Sequence, residues 1–437
     1  MSVGVQRLRE EPEVIRQGAL DKGEDASLID VALDLDARRR LLLGEADGLK
    51  AERNAVSRRV GEAIRGGAAP DGPEVAALKA ASVAAGERIA ALDAEAAAVE
   101  GQLEDVLLRI PNPADPDVPV GDADANVTVR TWGDLLPNVA AGPGGGWTRR
   151  PHWEVAEALD IIDLERGAKI TGSGFPVYKG AGAALQRALI DFFLGVHTRE
   201  NGFIEIWPPA LVNTASARGT GQIPDKEDQM YVVTRDELYL VPTAEVPVTN
   251  LHRDEIFEAG ALPVRYAAYT PCFRREAGAA GKDTRGILRV HQFDKVEMVL
   301  FERPETSNDA LEWMTGRAED LLRRLGLAYR VLLMATRDMG FVQARKYDLE
   351  VWAPGVERWL EVSSCSNFRD YQARRMAIRH RPAPGAKPEL VHTLNGSGLA
   401  LARVVAAILE TYQQPDGSVV VPDPLRGTLG TDVIRPR

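Results

Sequence analysis

The sequence predicts an α+β protein in which an N-terminal antiparallel α-helical coiled coil precedes a larger domain of antiparallel β-sheet flanked by helices. Leucine heptads fill the first hundred residues, a turn-forming cluster divides them, and short strands mix with amphipathic helices beyond about residue 120. The 437 residues, 45% hydrophobic and 27% charged, are enough for two domains. We expect these domains at 1–115 and 116–437.

The N-terminal arm is predicted from hydrophobic residues that recur seven apart in one segment and alternate three and four apart in the next. They are Leu28, Leu35, Leu42, Leu49 and Val56, then Ile89, Leu92, Ala96, Val99, Leu103, Val106 and Ile110. Such spacing predicts an antiparallel coiled coil over about residues 28–108. A Gly- and Pro-rich turn at residues 66–73 reverses the chain, and the prolines at 111–113 end the second helix. The residues alone fit an RNA-binding arm and a dimerising or spacer hairpin equally well.

The charge distribution restricts any nucleic-acid contact to a local surface. A net charge of −11 argues against indiscriminate RNA or DNA binding, because neutralising phosphates requires Lys and Arg on a common face. Residues 50–65, near the predicted tip of the arm, nevertheless carry a net charge of +3. Their cationic side chains are Lys50, Arg53, Arg58, Arg59 and Arg65.

The second domain is predicted to begin after a Pro- and Gly-rich connector at residues 142–146. We expect an amphipathic helix at 182–201, a strand at 203–207, and further helices at 306–325 and 399–412. The sequence contains neither a Rossmann nor a Walker glycine pattern.

Compartment and metal content follow from what the sequence lacks. The N-terminus has no apolar run of the secretory type and no segment reads as a membrane span, so we expect a cytosolic protein. Cys272 and Cys365 are too few for a disulfide framework and have no neighbouring ligands at zinc-binding spacing, so we expect buried thiols.

Residues 272–297 are the most informative segment, because they predict two strands joined by a long glycine- and arginine-rich loop. Period-two alternation places Arg274 and Glu276 on one face of the first strand. The returning strand is expected to present Arg289, His291, Phe293 and Lys295 on one face. A guanidinium matches phosphate oxygens and an aromatic ring stacks on a nucleobase, so the pattern favours ATP.

This segment resembles motif 2 of the class II aminoacyl-tRNA synthetases, in the form found in seryl-tRNA synthetases. Other segments agree in order: residues 203–209 resemble motif 1, residues 219–222 and 241–245 resemble the serine-binding loops, and residues 395–403 resemble motif 3. Residues 361–368 and 372–375 resemble the strand that holds metal and ATP in that family. The resemblance covers nearly the whole chain.

The resemblance implies a set of site residues. The catalytic residues are Arg274 for the α-phosphate, Arg403 for the γ-phosphate end, and Glu297 for the serine hydroxyl. ATP is expected to contact Arg274, Arg275, Glu276, Val290, Phe293, Glu361, Val362, Ser363, Ser364 and Arg403. Serine is expected to contact Thr243, Ala244, Glu245, Arg274, Glu297, Asn395 and Ser397. Mg²⁺ is expected at Glu361 and Ser364, whose oxygen ligands suit a hard cation.

The resemblance also implies the partners. It predicts a homodimer that acts on L-serine and tRNA(Ser), on tRNA(Sec) where the host has that tRNA, and an arm that holds the tRNA. Arg275 departs from the family pattern, in which a small residue is common, and we interpret it as a contact for the tRNA acceptor end.

Two alternatives remain open from the residues. The first is an amino acid:carrier-protein ligase, whose resemblance to this family does not extend to the RNA arm. The second is a catalytically silent RNA-binding paralogue, which is expected to lose some of Arg274, Glu297, Glu361 or Arg403, and all four are present.

Overall fold

The computed structural model describes residues 3–141, 146–277 and 285–436. The chain forms two compact units, Met1–Pro111 and Asn112–Arg437. The glycines and proline expected as a connector at 142–145 lie outside the described residues. No helix among the described segments is both long and apolar enough to cross a membrane.

The elements are numbered in chain order. The α-helices are α1 Val5–Glu10, α2 Pro12–Asp21, α3 Leu28–Arg65, α4 Pro73–Leu108, α5 His152–Ala158, α6 Leu164–Ile170, α7 Ala181–Arg199, α8 Thr214–Thr220, α9 Glu245–Thr249, α10 Ser307–Arg324, α11 Tyr371–Met376, α12 Leu401–Tyr412 and α13 Asp423–Leu429. The strands are β1 Val127–Trp132, β2 Val139–Ala140, β3 Trp147–Thr148, β4 Ile162–Asp163, β5 Val177–Tyr178, β6 Ile204–Ile206, β7 Leu211–Asn213, β8 Val232–Val233, β9 Leu238–Leu240, β10 Ile256–Phe257, β11 Val264–Phe273, β12 Gln292–Glu302, β13 Tyr329–Leu333, β14 Arg345–Ala353, β15 Arg358–Asn367, β16 Arg379–His380, β17 Glu389–Leu390, β18 His392–Ala400, β19 Val419–Val420 and β20 Val433–Ile434.

The first unit is the predicted helical arm, with α3 and α4 packed along each other. Leu42, Leu92 and Ala96 are buried between the two helices, as the heptads predict. A second cluster at the base joins α1 and α2 to both long helices through buried residues such as Leu8, Ile29 and Leu103. The predicted coiled-coil arm is therefore confirmed.

The second unit is built on an eight-stranded sheet in the order β1-β13-β14-β15-β18-β12-β11-β6. Neighbouring strands in this sheet are antiparallel, except for β6 and β11, which run parallel. The main core contains the inner faces of α7, α10 and α12 together with one face of the sheet. This is the α+β architecture that the sequence predicts.

Two irregularities in the sheet determine which side chains share a face. Between β14 and β15, Glu350 pairs with Glu361 but Leu349 pairs with Ser363, so β15 carries one extra residue. Between β12 and β18, Lys295 pairs with Ala400 and Glu297 pairs with Ser397, so β18 carries one extra residue over this interval. Extra residues of this kind re-aim side chains and often lie beside functional sites.

Several predicted bounds need correction. The helix predicted at 399–412 begins only at Leu401, because β18 extends to Ala400. Residues 372–375, expected to resemble a strand, lie in α11. The returning arm of the motif 2 segment becomes a strand only at Gln292, so Arg289 and His291 precede it. The other predicted helices agree with α7 and α10 to within two residues at each end.

Candidate functional site

One cleft in the second unit collects most of the predicted residues. Its first part is lined by Arg274, Glu276, Val290, Phe293, Glu361, Val362, Ser363, Ser364, Ser397 and Arg403. Its second part shares Arg274, Glu276, Glu361, Ser364 and Arg403 and extends to Thr243, Glu245, Glu297 and Asn395. β12, β15 and β18 supply most of these residues and are consecutive in the sheet, and Arg274 follows the end of β11 beside them.

Arg274 and Phe293 form one wall of the first part. The Arg274 guanidinium carbon lies 5.2 Å from the centroid of the Phe293 ring, a cation–π arrangement. The backbone N–H of Arg274 donates to the carbonyl of His291 at 2.9 Å, which holds the backbone at Arg274 beside the segment that leads into β12. A planar ring and a fork of donors are thereby presented side by side.

Arg403 lines the same part of the cleft from the first turn of α12. Its Nε donates to the Leu288 carbonyl at 3.0 Å and its Nη1 donates to the Glu361 carbonyl at 2.9 Å. Its Nη1 also lies 3.4 Å from Glu361 Oε2. Arg289 and Glu276, which also line this part of the cleft, form an ion pair of 2.5 Å.

Glu361 and Ser364 line the same cleft although they are three residues apart, because the extra residue in β15 lies between them. Burial acts to raise the pKa of the Glu361 carboxyl, but the charges of Arg403, Lys346 and Arg274 outweigh it and hold this pKa below its usual value. The carboxylate therefore stays charged and remains 45% exposed. A carboxylate and a hydroxyl facing a common space are oxygen donors that fit Mg²⁺.

A buried polar group forms the floor of the second part. Lys295 Nζ donates to Thr243 Oγ1 at 2.9 Å, and Thr243 Oγ1 donates to Glu297 Oε2 at 3.1 Å. Lys295 and Glu297 form a direct ion pair, and both side chains are less than a tenth exposed. Period-two alternation along β12 places Phe293, Lys295 and Glu297 on one face, so one strand serves both parts of the cleft.

Glu245 is held beside this group from the start of α9. Gln372 Nε2 donates to Glu245 Oε1 at 2.6 Å, and Thr393 Oγ1 donates to Gln372 Oε1 at 2.7 Å. Burial, with the negative charge of Glu297 as the next cause, raises the pKa of Glu245 to about 7. Its carboxyl group thus changes charge near neutral pH.

Asn395 and Ser397 project from β18 beside β12. Ser397 is paired with Glu297 in the ladder and Asn395 with Val299. The Asn395 Nδ2 atom is buried without a hydrogen-bond partner in the described structure, so it is a donor available to a ligand. Ser363 Oγ donates to the Ser397 carbonyl at 2.6 Å, which joins β15 to β18 at this point.

Three residues of the predicted segments lie outside the cleft. Ala244 is fully buried in a hydrophobic cluster with Val248. Arg275 donates from Nη1 to the Asp228 carbonyl at 3.0 Å. His291 stacks on Phe175 and contacts the Tyr231 hydroxyl at 2.8 Å, which indicates a structural role.

Sequence reasoning also missed residues that line the cleft. Lys295 was assigned no role in the site, although its alternation with Phe293 and Glu297 is a signal that identifies it. Lys346, whose Nζ lies 3.1 Å from Asp348 Oδ2, also lines the cleft. Nothing in the motifs points to Lys346, since β14 reaches the cleft only through sheet pairing.

The cationic patch of the arm lies in the first unit. Arg58, Arg59 and Arg65 are exposed near the end of α3. Lys50, in contrast, is bound to acidic neighbours, with its Nζ 3.2 Å from Asp93 Oδ1 and 3.6 Å from Asp47 Oδ1. The available positive charge therefore lies in the outer part of the patch.

Comparisons with known proteins match both units. The family profile of the tRNA synthetase class II core domain (G, H, P, S and T) matches residues 231–412, and that of the seryl-tRNA synthetase N-terminal domain matches residues 4–114. The serine–tRNA ligase of Thermomicrobium roseum is 52% identical over 424 residues, covering 97% of this chain and 92% of the relative. That of Gemmatimonas aurantiaca is 50% identical over 434 residues, covering 98% and 99%. The crystal structure of seryl-tRNA synthetase from Pyrococcus horikoshii complexed with ATP has a TM-score of 0.91 at 36% identity, with 100% of both chains covered.

Proposed function

The chain belongs to the seryl-tRNA synthetases, class II enzymes that charge tRNA with serine, and from this premise we propose the chemistry of its cleft. L-Serine and ATP react first: a serine carboxylate oxygen attacks the α-phosphorus, the bond to the bridging oxygen breaks, and pyrophosphate leaves. The 3′-terminal ribose hydroxyl of tRNA(Ser) then attacks the carbonyl carbon of seryl-adenylate, loses its proton, and AMP leaves. A host that has tRNA(Sec) provides a second substrate.

The first part of the cleft is assigned to ATP. Phe293 stacks on the adenine ring, Arg274 binds the α-phosphate and Arg403 binds the γ-phosphate end. This assignment is supported by the 5.2 Å distance between Arg274 and the Phe293 ring and by Arg403, which lines the same part of the cleft. In-line displacement at phosphorus needs alignment and charge neutralisation more than a protein base, and two guanidinium groups supply both.

Glu361 and Ser364 are assigned to Mg²⁺. The lowered pKa of Glu361 keeps it anionic, and the Ser364 hydroxyl adds a neutral oxygen in the same cleft. When bound there, the ion would neutralise and orient the phosphates. Arg403 meanwhile holds the Glu361 backbone carbonyl and so fixes the direction of the side chain.

The second part of the cleft is assigned to serine, and the buried Thr243–Lys295–Glu297 group carries this assignment. Glu297 is 2% exposed and its carboxylate accepts from Thr243. Alanine lacks the hydroxyl that would donate to this carboxylate. When alanine binds, Glu297 therefore loses one hydrogen bond and stays partly unpaired. Sites of this kind reject the analogue without a hydroxyl by up to roughly 10⁴ to 10⁵.

We also propose a homodimer and an RNA-binding role for the arm. Ile204 and Trp207, at the edge of the sheet, are 59% and 82% exposed, and apolar side chains of this size at an edge favour a second copy as partner. The exposed arginines of α3 suit the phosphates of a tRNA, whose double-stranded regions are recognised mainly by shape.

The test is amino-acid-dependent ATP–pyrophosphate exchange with serine, threonine, alanine and glycine, followed by charging of tRNA(Ser). We expect exchange with serine alone, and we expect Glu297→Gln to lower kcat/KM for serine by about 10² or more with little change in KM for ATP. Glu302→Gln is the matched control, because Glu302 is a buried carboxylate on the same strand, bonded to Thr306 outside the cleft.

Each other outcome supports one of the two alternative functions. Exchange that prefers alanine or glycine, or serine exchange without charging of tRNA(Ser), supports the carrier-protein ligase. No exchange with any of the four amino acids supports the silent paralogue.

A further inference from the structure

Helix α12 carries one side chain that contacts the backbone at residue 288 directly and another that reaches residue 287 through His152. Arg403 lies in its first turn and contacts Leu288, as described above. Glu410 lies seven residues later, near the end of the helix, and is completely buried. A spacing of seven residues is about two helical turns, so both side chains leave the helix on the same side.

The Glu410 carboxylate accepts four hydrogen bonds. Oε1 accepts from the backbone N–H of His152 at 2.9 Å and from His152 Nδ1 at 2.8 Å. Oε2 accepts from the backbone N–H groups of Gly355 at 2.8 Å and Val356 at 3.1 Å. A buried carboxylate with this many donors is held in one orientation.

The ring of His152 transmits this orientation to the cleft. His152 is also completely buried, and its Nε2 accepts the backbone N–H of Ile287 at 3.2 Å. Because Nε2 accepts, it carries no proton, and the proton of the neutral ring is on Nδ1, where it is donated to Glu410. The carboxylate therefore selects the tautomer that is able to bind Ile287.

The local backbone leaves room for this contact. Gly286 has a φ of +71°, and a Cβ at this position would lie 2.2 Å from His152 Nε2. Only glycine combines the left-handed conformation with such a close approach.

The segment after Gly286 is a wall of the nucleotide part of the cleft. Leu288, Arg289 and Val290 line it, and Arg289 pairs with Glu276. His152 holds this segment at Ile287 and Arg403 holds it at the next residue, Leu288. Gly355 and Val356, also held by Glu410, precede β15, which carries Glu361.

We propose that Glu410 and His152 are positioning residues that fix the Ile287–Val290 wall for ATP binding, although neither lines the cleft itself. The proposal rests on the assignment of the cleft to ATP. It makes α12 a two-point support of this wall, since Arg403 in its first turn holds Leu288 and Glu410 in its last turn holds Ile287 through His152.

The decisive pair of variants is His152→Gln and His152→Asn. A glutamine oxygen extends to the position of Nε2 and is able to accept from Ile287, whereas the shorter asparagine reaches only the position of Nδ1. In serine-dependent ATP–pyrophosphate exchange, His152→Asn should raise KM for ATP about tenfold, as expected for one lost hydrogen bond, and leave KM for serine nearly unchanged. His152→Gln should recover most of that loss.

Glu410→Gln tests the contact between Glu410 and His152. The glutamine amide nitrogen would face N–H groups and is unable to accept their hydrogen bonds. Glu319→Gln is the matched control, because Glu319 on α10 is a buried carboxylate that accepts from Arg130 at 2.7 Å and Tyr329 at 3.0 Å outside the cleft. Both variants should lower the melting temperature, and only Glu410→Gln should raise KM for ATP.

The outcomes separate this proposal from the proposed function. A wild-type KM for ATP in His152→Asn, or equal losses in the two His152 variants, overturns the positioning role. Should Glu410→Gln fail to fold, the His152 pair still decides the question. A wild-type protein without serine-dependent exchange instead contradicts the function on which the proposal rests.

Discussion

Glu245, Lys295 and Glu297 are three ionisable side chains buried in one small volume. Two carboxylates and one ammonium leave an excess negative charge, and burial makes that charge costly. Lys295 pairs directly with Glu297, and burial together with the negative charge of Glu297 raises the pKa of the Glu245 carboxyl. The second part of the cleft therefore holds a carboxyl group that would lose its proton when a cation such as the serine ammonium binds.

The first prediction concerns the pH dependence of serine binding. Because the pKa of Glu245 is raised from 4.5 to about 7, a growing fraction of the enzyme is protonated there as the pH falls below 7. Binding of an ammonium group needs the charged carboxylate, so KM for serine should rise by about tenfold in total as the pH falls from about 8 to about 6. Glu245→Gln should show a higher KM for serine that no longer varies over this range.

The same pKa shift fixes the sign of a stability effect. A raised folded-state pKa contributes stability that is complete below pH 4.5 and is lost as the pH rises through about 7. Glu245→Gln should therefore raise the melting temperature at about pH 8 relative to wild type and have less effect at about pH 5. KM for ATP is the control for the binding prediction. A KM for serine that does not change with pH would contradict the proposed role of Glu245 in binding the serine ammonium.

At the scale of elements, regular patterns were predictable and irregular ones were not. Heptads specified α3 and α4, and alternation specified Phe293, Lys295 and Glu297 on one face of β12. The shared face of Glu361 and Ser364 was inferred only from family resemblance, because a spacing of three places two residues of a regular strand on opposite faces. The extra residue in β15 reconciles them, and it is visible only in the pairing of β15 with β14, not in the spacing of the sequence.

Helix α12 illustrates a second limit of sequence reasoning. The motif 3 resemblance predicts Arg403, but the predicted helix begins at residue 399, two residues before the observed start of α12. Tertiary pairing with β12 instead extends β18 to Ala400. Glu410 and His152 carry no local signal, since their contacts join residues 258 positions apart.

The second prediction concerns a buried charge in the arm. Asp36 on α3 is 1% exposed, and its carboxylate lies 3.0 Å from Arg40 Nε and 3.6 Å from Arg9 Nε of α1. Arg39, 3.5 Å from Asp36, also binds Glu100 of α4 at 2.9 Å. Asp36→Ala should lower the local stability of the arm by ~1–3 kcal/mol, because these bonds to a buried carboxylate are lost.

Hydrogen exchange of the full-length chain measures this effect in α3 and α4. Asp34→Ala is the matched control, since Asp34 lies on the same helix and is exposed. Equal protection of the arm in the two variants would show that the Asp36 cluster adds nothing to its stability.

On the scale of the whole molecule, the two units divide the proposed work. Every described residue that lines the cleft belongs to the second unit, which has its own hydrophobic core. The first unit has separate clusters at its base and along α3 and α4. Adenylate formation is therefore expected to need only the second unit, whereas tRNA charging is expected to need both.

The arm is best tested by shortening it, because removal of all of residues 28–108 would also expose the base cluster. Joining Lys50 to Ile89 through the native turn residues 66–72 removes the outer arm and keeps Leu8, Ile29 and Leu103 buried together. Serine-dependent exchange should remain at the wild-type rate, and kcat/KM for tRNA(Ser) should fall by about 10² or more, because the exposed arginines neutralise phosphates.

A full-length variant with four arginines of the patch replaced by alanine tests the same charges without shortening the arm. It should flatten the salt dependence of tRNA binding by about one unit of log–log slope per lost phosphate contact. The four residues are Arg53, Arg58, Arg59 and Arg65. Lys50→Ala is the control with a smaller expected effect, since Lys50 is already paired with Asp93. If the shortened protein charges tRNA(Ser) as well as wild type does, the arm is a spacer and the RNA-binding assignment is wrong.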